Sequence, residues 1–189
     1  AVILMAGVLV AASCSTTQAP PATSTSPVTE KPYGSLTIVT NFGGSIDPMR
    51  DSSVGYSTIG AAVIDSLTYR DIKYELKPGL AERWELAPDG MSQTFYIRKG
   101  VKFHDGSDLT AADVKFSIER LLSPKSIETE ASIWRAAIAS TEVKDDYTVV
   151  IRMNSPQFEV LESQHDAMSS IVPKKYIEEK GVDYFASNP

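Results

Sequence analysis

The hydrophobic pattern divides the chain into an apolar start, a polar linker and a body of changing periodicity. Residues 1–12 are apolar except for Gly7, and no charge interrupts them. Residues 15–32 contain eight Ser or Thr and four Pro, with Val28 as the one large aliphatic side chain. Such a segment buries too little surface to offset its ordering entropy, so we expect a disordered tether. The folded body then begins near Tyr33.

The first part of the body reads as a strand, a break and a short helix. Residues 35–40 alternate polar and apolar positions and are rich in β-branched side chains, which predicts a strand. Gly43 and Gly44 interrupt this pattern. A four-residue apolar spacing then predicts a short helix, carried by Ile59, Val63 and Leu67. A second strand-like run follows at 67–71.

The middle of the body predicts two hairpins on either side of an amphipathic helix. The predicted strands are 80–86 with 94–98, and 140–144 with 148–153. Turn residues join each pair, at Pro88-Asp89-Gly90 and at Asp145-Asp146.

The helix between the hairpins has a defined start and end. Thr110 suits the N-cap, with Asp113 as an acid in the first turn. Its apolar face is formed by Val114, Ile118, Leu121 and Leu122. Pro124 ends it, and a last short helix at 173–180 ends at Gly181. The sequence contains no internal repeat, and the fold class it predicts is α/β, of the mixed α+β kind.

Composition excludes several classes of protein. The chain has 18 basic and 24 acidic residues, a net charge of −6, so it lacks the basic face of a nucleic-acid-binding protein. The apolar share of 42% argues against disorder throughout. A single Cys excludes an internal disulfide framework and a Cys/His zinc cluster.

The apolar start resembles a bacterial lipoprotein signal. It is about half the roughly 20 residues that a membrane-spanning helix needs, and it has the length of a secretory h-region. Small residues then precede Cys14. The resemblance implies a signal peptide at 1–13, cleavage before Cys14 and a diacylglycerol on its thiol, with a tether at 14–32. An ordinary signal peptide and a buried apolar helix are the alternatives. Because the chain begins without Met or basic residues, we expect its true start upstream of Ala1.

One ordered series of motifs carries a family resemblance. Residues 80–121 contain Glu-Arg-Trp, an Asp-Gly turn, the strand Phe-Tyr-Ile-Arg, the loop Gly-Val-Lys-Phe-His-Asp-Gly and the helix entry Leu-Thr-Ala-Ala-Asp-Val-Lys-Phe-Ser. This order closely resembles the signature region of the family 5 solute-binding proteins, the extracytoplasmic receptors of peptide- and nickel-type ABC importers. Weaker agreement runs from Ser35 to the C-terminus, including 67–71 and 172–176.

The resemblance implies a periplasmic-binding-protein-like type II fold. Its members have two lobes that close on a ligand by hinge motion, with a small accessory domain on the first lobe. On this pattern, 33–66 begins lobe I. Residues 67–189 form the accessory subdomain and return towards lobe I, while the second lobe is missing from the chain.

The same resemblance implies a receptor and no enzyme. We expect it to capture peptides or a related small solute and deliver them to ABC permease subunits. It would be exported and lipid-anchored to the outer face of the cell membrane or in the periplasm, without cofactor, metal or nucleic acid. The loop after the first strand borders the ligand cleft in this family, which makes four residues candidate contacts: Asn41, Phe42, Gly43 and Ser45. The alternative is a truncated interaction or structural lipoprotein without transport activity, which a stop codon directly after Pro189 would favour.

Other residues with reactive side chains have structural interpretations. His104-Asp105 with Asp108 suggests catalysis or a metal, but a loop His capped by neighbouring carboxylates is the favoured interpretation. His165 has no second ligand at helical spacing. Trp84 and Trp134 are candidate ligand platforms, and packing is favoured for both. The sequence contains no Gly-x-Ser-x-Gly and no phosphate-binding loop.

Overall fold

The computed structural model describes residues 37, 45–50, 60, 62–127, 131–157 and 170–188. The secondary structure below lies in the unit that spans Ile38–Pro189. The predicted signal peptide, Cys14, the tether and the predicted strand at 35–40, apart from Thr37, fall outside these residues. Within them, no helix has both the length and the apolar character needed to cross a membrane.

The described residues form an antiparallel sheet, a short second sheet and helices. The strands are β1 Thr68–Arg70, β2 Leu76–Pro78, β3 Ala81–Leu86, β4 Ser92–Ile97, β5 Ile138–Asp145 and β6 Thr148–Met153. The helices are α1 Ala111–Leu122, α2 Ala131–Ala137, α3 Lys174–Lys180 and α4 Val182–Phe185. The main sheet has the order β3-β4-β6-β5, and β1 pairs with β2. The two predicted hairpins are confirmed, and the pairing of β4 with β6 joins them.

The core lies between one face of the main sheet and α1. Alternate residues of β4 are buried, which is the pattern of a strand with one covered face. The predicted apolar stripe of α1 packs against this face, with Val114, Ile118 and Leu121 at most 1% exposed. Together with Phe95 and Ile151 of the sheet they belong to one buried cluster. The other face of the sheet carries charged side chains such as Arg83, Glu142 and Arg152.

The ends of α1 are as predicted. Asp113 Oδ2 accepts hydrogen bonds from both the backbone N–H and the hydroxyl of Thr110, each at 2.9 Å. The helix ends at Leu122, and Pro124 follows after one intervening residue.

Three short elements of the structure were not predicted, and one predicted helix extends further along the chain than the helix in the structure. The sequence patterns missed β2, α2 and α4. The predicted short helix is helical at Gly60, Ala62 and Val63, and the Ile64 N–H donates to the Gly60 carbonyl at 2.8 Å. Leu67 lies beyond this helix and is buried in the core, because the chain there turns into β1.

Candidate functional site

Of the four predicted solute contacts, the structure describes Ser45. Three of the four candidates lie outside the described part of the chain: Asn41, Phe42 and Gly43. Ser45 is half-buried, and its hydroxyl oxygen accepts a hydrogen bond from the Asp47 N–H at 3.1 Å. The Arg50 N–H in turn donates to the Asp47 carbonyl at 2.9 Å. Residues 45–50 therefore form a compact turn, which we call the strand-end turn because it follows the strand that the sequence predicts at 35–40.

A buried ion pair fastens the strand-end turn to α1. Arg120 Nη2 lies 2.6 Å from Asp47 Oδ2, with the Asp47 side chain fully buried and that of Arg120 14% exposed. The Met49 N–H donates to the other carboxylate oxygen at 3.1 Å. Both oxygens of the buried carboxylate therefore have a donor, as a charge removed from water requires.

A second terminal nitrogen of the Arg120 guanidinium lies outside this pair. This nitrogen, Nη1, is buried and has no hydrogen-bond partner among the described residues. The guanidinium carbon lies 5.8 Å from the centre of the Phe116 ring, within the range of a cation–π contact. A cavity of about 570 Å³ borders Arg120, Phe116 and Met49.

Further contacts hold the strand-end turn against the C-terminal residues. The Ile46 N–H donates to the Ala186 carbonyl at 3.0 Å. Arg50 forms an ion pair with Asp183, whose side chain is 89% exposed. Exposed pairs contribute little to stability, so the buried Asp47 pair is the main electrostatic fixing point. Sequence reasoning missed both Asp47 and Arg120.

A cavity lies beside the loop formed by residues 100–106. It encloses about 430 Å³ and is lined by residues from several segments, including Val63, Phe103, His104, Ile171, Tyr176 and Phe185. Because Asp65, Lys102 and Asp105 also line it, the cavity offers both apolar and charged surface. In the described residues, no group of three or more His, Cys, Asp or Glu side chains is placed to hold a metal ion.

The favoured interpretation of His104 is wrong in its detail. His104 Nε2 lies 3.0 Å from the carbonyl oxygen of Val63 rather than against a neighbouring carboxylate. Asp105 instead accepts hydrogen bonds from the hydroxyl and N–H of Ser107, at 2.6 and 2.9 Å, and Asp108 pairs with Lys102. The Ser107 hydroxyl is the main cause that lowers the pKa of Asp105 below its ordinary value. His165 lies outside the described residues.

The packing interpretation of the two tryptophans is confirmed. Trp84 and Trp134 are half-buried and pack against the main apolar cluster. The Trp134 indole nitrogen is buried and has no hydrogen-bond partner within the part of the chain that the structure describes.

Comparisons with known proteins support the predicted resemblance. The family model described as bacterial extracellular solute-binding proteins, family 5 Middle, matches residues 75–189. The periplasmic oligopeptide-binding protein OppA of Haemophilus influenzae is 30% identical over 164 residues, which cover 76% of this chain and 30% of that protein.

Solved structures give the same result for the fold. The crystal structure of Haemophilus influenzae OppA in complex with RPPGFSPFR matches with a TM-score of 0.68 at 27% identity, over 75% of this chain and 31% of that one. NikZ from Campylobacter jejuni in complex with Ni(L-His) matches with a TM-score of 0.67 at 29% identity, over 80% and 30%. The predicted periplasmic-binding-protein fold class is thus confirmed. The chain spans about 30% of the length of the curated relative and of these structures.

Proposed function

This chain belongs to family 5 of the bacterial extracellular solute-binding proteins, and we propose that it forms part of an extracytoplasmic receptor of an ABC importer. The receptor captures a solute and delivers it to the permease subunits. The match of residues 75–189 to the family carries this proposal. Because the relatives are binding proteins, the proposal includes no catalysed reaction and no cofactor.

Peptides are the proposed solute class. The support is the similarity to OppA, whose structure contains the peptide RPPGFSPFR. NikZ matches nearly as well and contains Ni(L-His), so the fold alone does not select the solute. Calorimetric titration of the complete receptor with trialanine, RPPGFSPFR and Ni(L-His) tests the choice. We expect micromolar or tighter binding of a peptide. Binding of the nickel complex alone would overturn the solute class, and binding of none would overturn the receptor.

The proposed solute contacts are Asn41, Phe42, Gly43 and Ser45. Small side chains and backbone N–H groups at a strand end allow a ligand to approach closely. The Ser45 oxygen accepts the Asp47 N–H, and among the described residues no acceptor takes the hydroxyl proton, which can therefore be donated to a solute. In the complete receptor, Ser45→Trp should weaken solute binding more than tenfold, whereas Ser132→Trp at an exposed position of α2 should not. Unchanged affinity of Ser45→Trp would remove this loop from the site.

The proposed location is outside the cytoplasm, with a lipid anchor on Cys14 at the membrane surface. The support is the apolar start followed by small residues and the single Cys, and a relative named as periplasmic. Two acyl chains would give a stable anchor, at about 0.8 kcal/mol per buried methylene. The exported protein should enter the detergent phase of a partition assay, and Cys14→Ala should move it to the aqueous phase. Equal membrane association of both proteins would contradict the anchor.

A further inference from the structure

We propose that Arg120 is a positioning residue for solute binding, which holds the end of the solute loop through Asp47 without touching the solute. The inference rests on the proposed receptor function and on Ser45 as a solute contact. It assigns to the accessory subdomain a role in setting the geometry of the binding site.

A short series of contacts links Arg120 to Ser45. Arg120 Nη2 donates to Asp47 Oδ2 at 2.6 Å, and the Asp47 N–H donates to the Ser45 hydroxyl oxygen at 3.1 Å. The Met49 N–H fixes the second carboxylate oxygen. A charge-assisted bond to a fully buried carboxylate is strong and is screened little by salt. The position of Ser45 is therefore tied to α1 as well as to its own loop.

The helix that carries Arg120 is itself fixed at several points. Asp113 Oδ1 accepts a hydrogen bond from the Lys174 N–H at 3.0 Å, and the Ser117 hydroxyl oxygen accepts one from the Val172 N–H at 3.0 Å. These bonds join α1 to the segment that leads into α3. Because α1 is held by these bonds and by the core, Arg120 offers Asp47 a rigid partner.

Rigid positioning matters because binding is weakened when a contact residue must first be ordered. A preorganised loop avoids the entropy cost that a free loop pays when solute binds. Without Arg120, the Asp47 carboxylate would be buried without its counter-charge, and the strand-end turn would rearrange to solvate it. We expect Arg120→Gln to weaken solute binding at least tenfold without changing which solute is preferred.

A double-mutant cycle separates positioning from direct contact and from general damage. If Arg120 acts through Asp47, then Asp47→Asn with Arg120→Gln should lose no more affinity than the worse single variant, because both remove one link. The double variant leaves no buried charge at this position, so it should fold even if one of the single variants does not. Arg120→Lys keeps a charge near Asp47 and should restore part of the affinity. Asp183→Asn is the matched control, since it removes only the exposed ion pair that Arg50 of the strand-end turn forms with α4.

The experiment measures two quantities on the complete receptor and these variants. Calorimetry uses the probe that binds the wild type most tightly among trialanine, RPPGFSPFR and Ni(L-His). Hydrogen exchange without solute reports the protection of residues 45–50. Affinity loss with a non-additive cycle, partial rescue by Lys and an unchanged control would support the proposal. Additive losses, or wild-type affinity in a folded Arg120→Gln, would overturn it.

The two proposals fail in different ways. If the wild type binds none of the probes, the receptor proposal fails. The proposed link between Arg120 and residues 45–50 is then tested by hydrogen exchange alone. Faster exchange of residues 45–50 in Arg120→Gln, with no change in Asp183→Asn, would support the link. Equal protection in the wild type and Arg120→Gln would overturn it.

Discussion

Asp113 and Lys174 lie 61 residues apart in the chain, yet the Lys174 N–H donates to Asp113 Oδ1 at 3.0 Å. The other carboxylate oxygen accepts from the N–H and hydroxyl of Thr110, both at 2.9 Å. One buried side chain therefore caps α1 and fixes the start of α3. The acid in the family's helix-entry motif is thus a scaffold residue in this chain.

Asp113→Ala should destabilise the protein by about 2–4 kcal/mol. The loss of an N-terminal cap costs about 0.5–2 kcal/mol, and buried donors left without an acceptor cost about 1–3 kcal/mol. Urea denaturation measures the change in the free energy of unfolding. Asp108→Ala is the control, because its exposed pair with Lys102 is worth less than about 1 kcal/mol. Equal losses in the two variants would contradict the scaffold role of Asp113.

Gly79→Ala should disturb the junction between β2 and β3, which lies against the two residues that precede β1. A Cβ at this position would overlap with the Ser66 carbonyl oxygen and lie 3.1 Å from that of Leu67, so the backbone must move. We expect a loss of about 1–3 kcal/mol and faster exchange of the Leu80 N–H, which donates to the Ser66 carbonyl at 2.8 Å.

Gly106→Ala is the matched control for this prediction. Gly106 has a φ of +86°, but apart from its chain neighbours no atom of the described residues lies within 4 Å of the added Cβ. Its replacement should cost about 1–2 kcal/mol from backbone conformation alone, with exchange at Leu80 unchanged. Normal protection of the Leu80 N–H in Gly79→Ala would show that the contact is not tight.

The contribution of Asp105 to the stability of its loop should decrease in acid. The Ser107 hydroxyl and N–H lower the pKa of Asp105, so the charged form is favoured in the folded state. A lowered pKa gives stability that is present above the ordinary value and is lost as the pH falls below about 4 and through the lowered value. Ser107→Ala should move the pKa of Asp105 back towards its ordinary value, whereas Ser107→Thr should not. Carbon-13 NMR titration of the carboxyl group measures this, and equal pKa values in both variants would exclude the hydroxyl as the cause.

The sequence predicted those elements whose signals are local. The strand at 148–153 was predicted with the bounds that β6 has, and the last helix was predicted to within one residue and ends at Gly181 as expected. Alternation, capping residues and turn residues all lie within a few positions of each other in these cases.

The missed elements lack such signals. Helix α2 has seven residues, and its inner face consists of Ala131, Trp134 and Ala137, a pattern too short to identify a helix from the sequence. Strand β2 has three residues and ends at Pro78. In the candidate site, the sequence predicted Ser45 as a contact but missed the Asp47–Arg120 pair. Its partners are 73 residues apart, and no local pattern predicts such a contact.

The last prediction is that the 189-residue chain alone does not bind solute with receptor-like affinity. The resemblance to family 5 implies a ligand that lies between two lobes, with closure stabilised by contacts from both sides. One surface alone supplies few of those contacts, while the cost of immobilising the ligand remains. The hairpins and α1 should still fold together because their partners lie close in sequence, whereas residues 35–40 should not stay protected, since one strand cannot form a sheet alone. Titration with trialanine and RPPGFSPFR alongside hydrogen exchange tests both parts. Micromolar binding would contradict the first part of the prediction, and strong protection of residues 35–40 in a monomer would contradict the second.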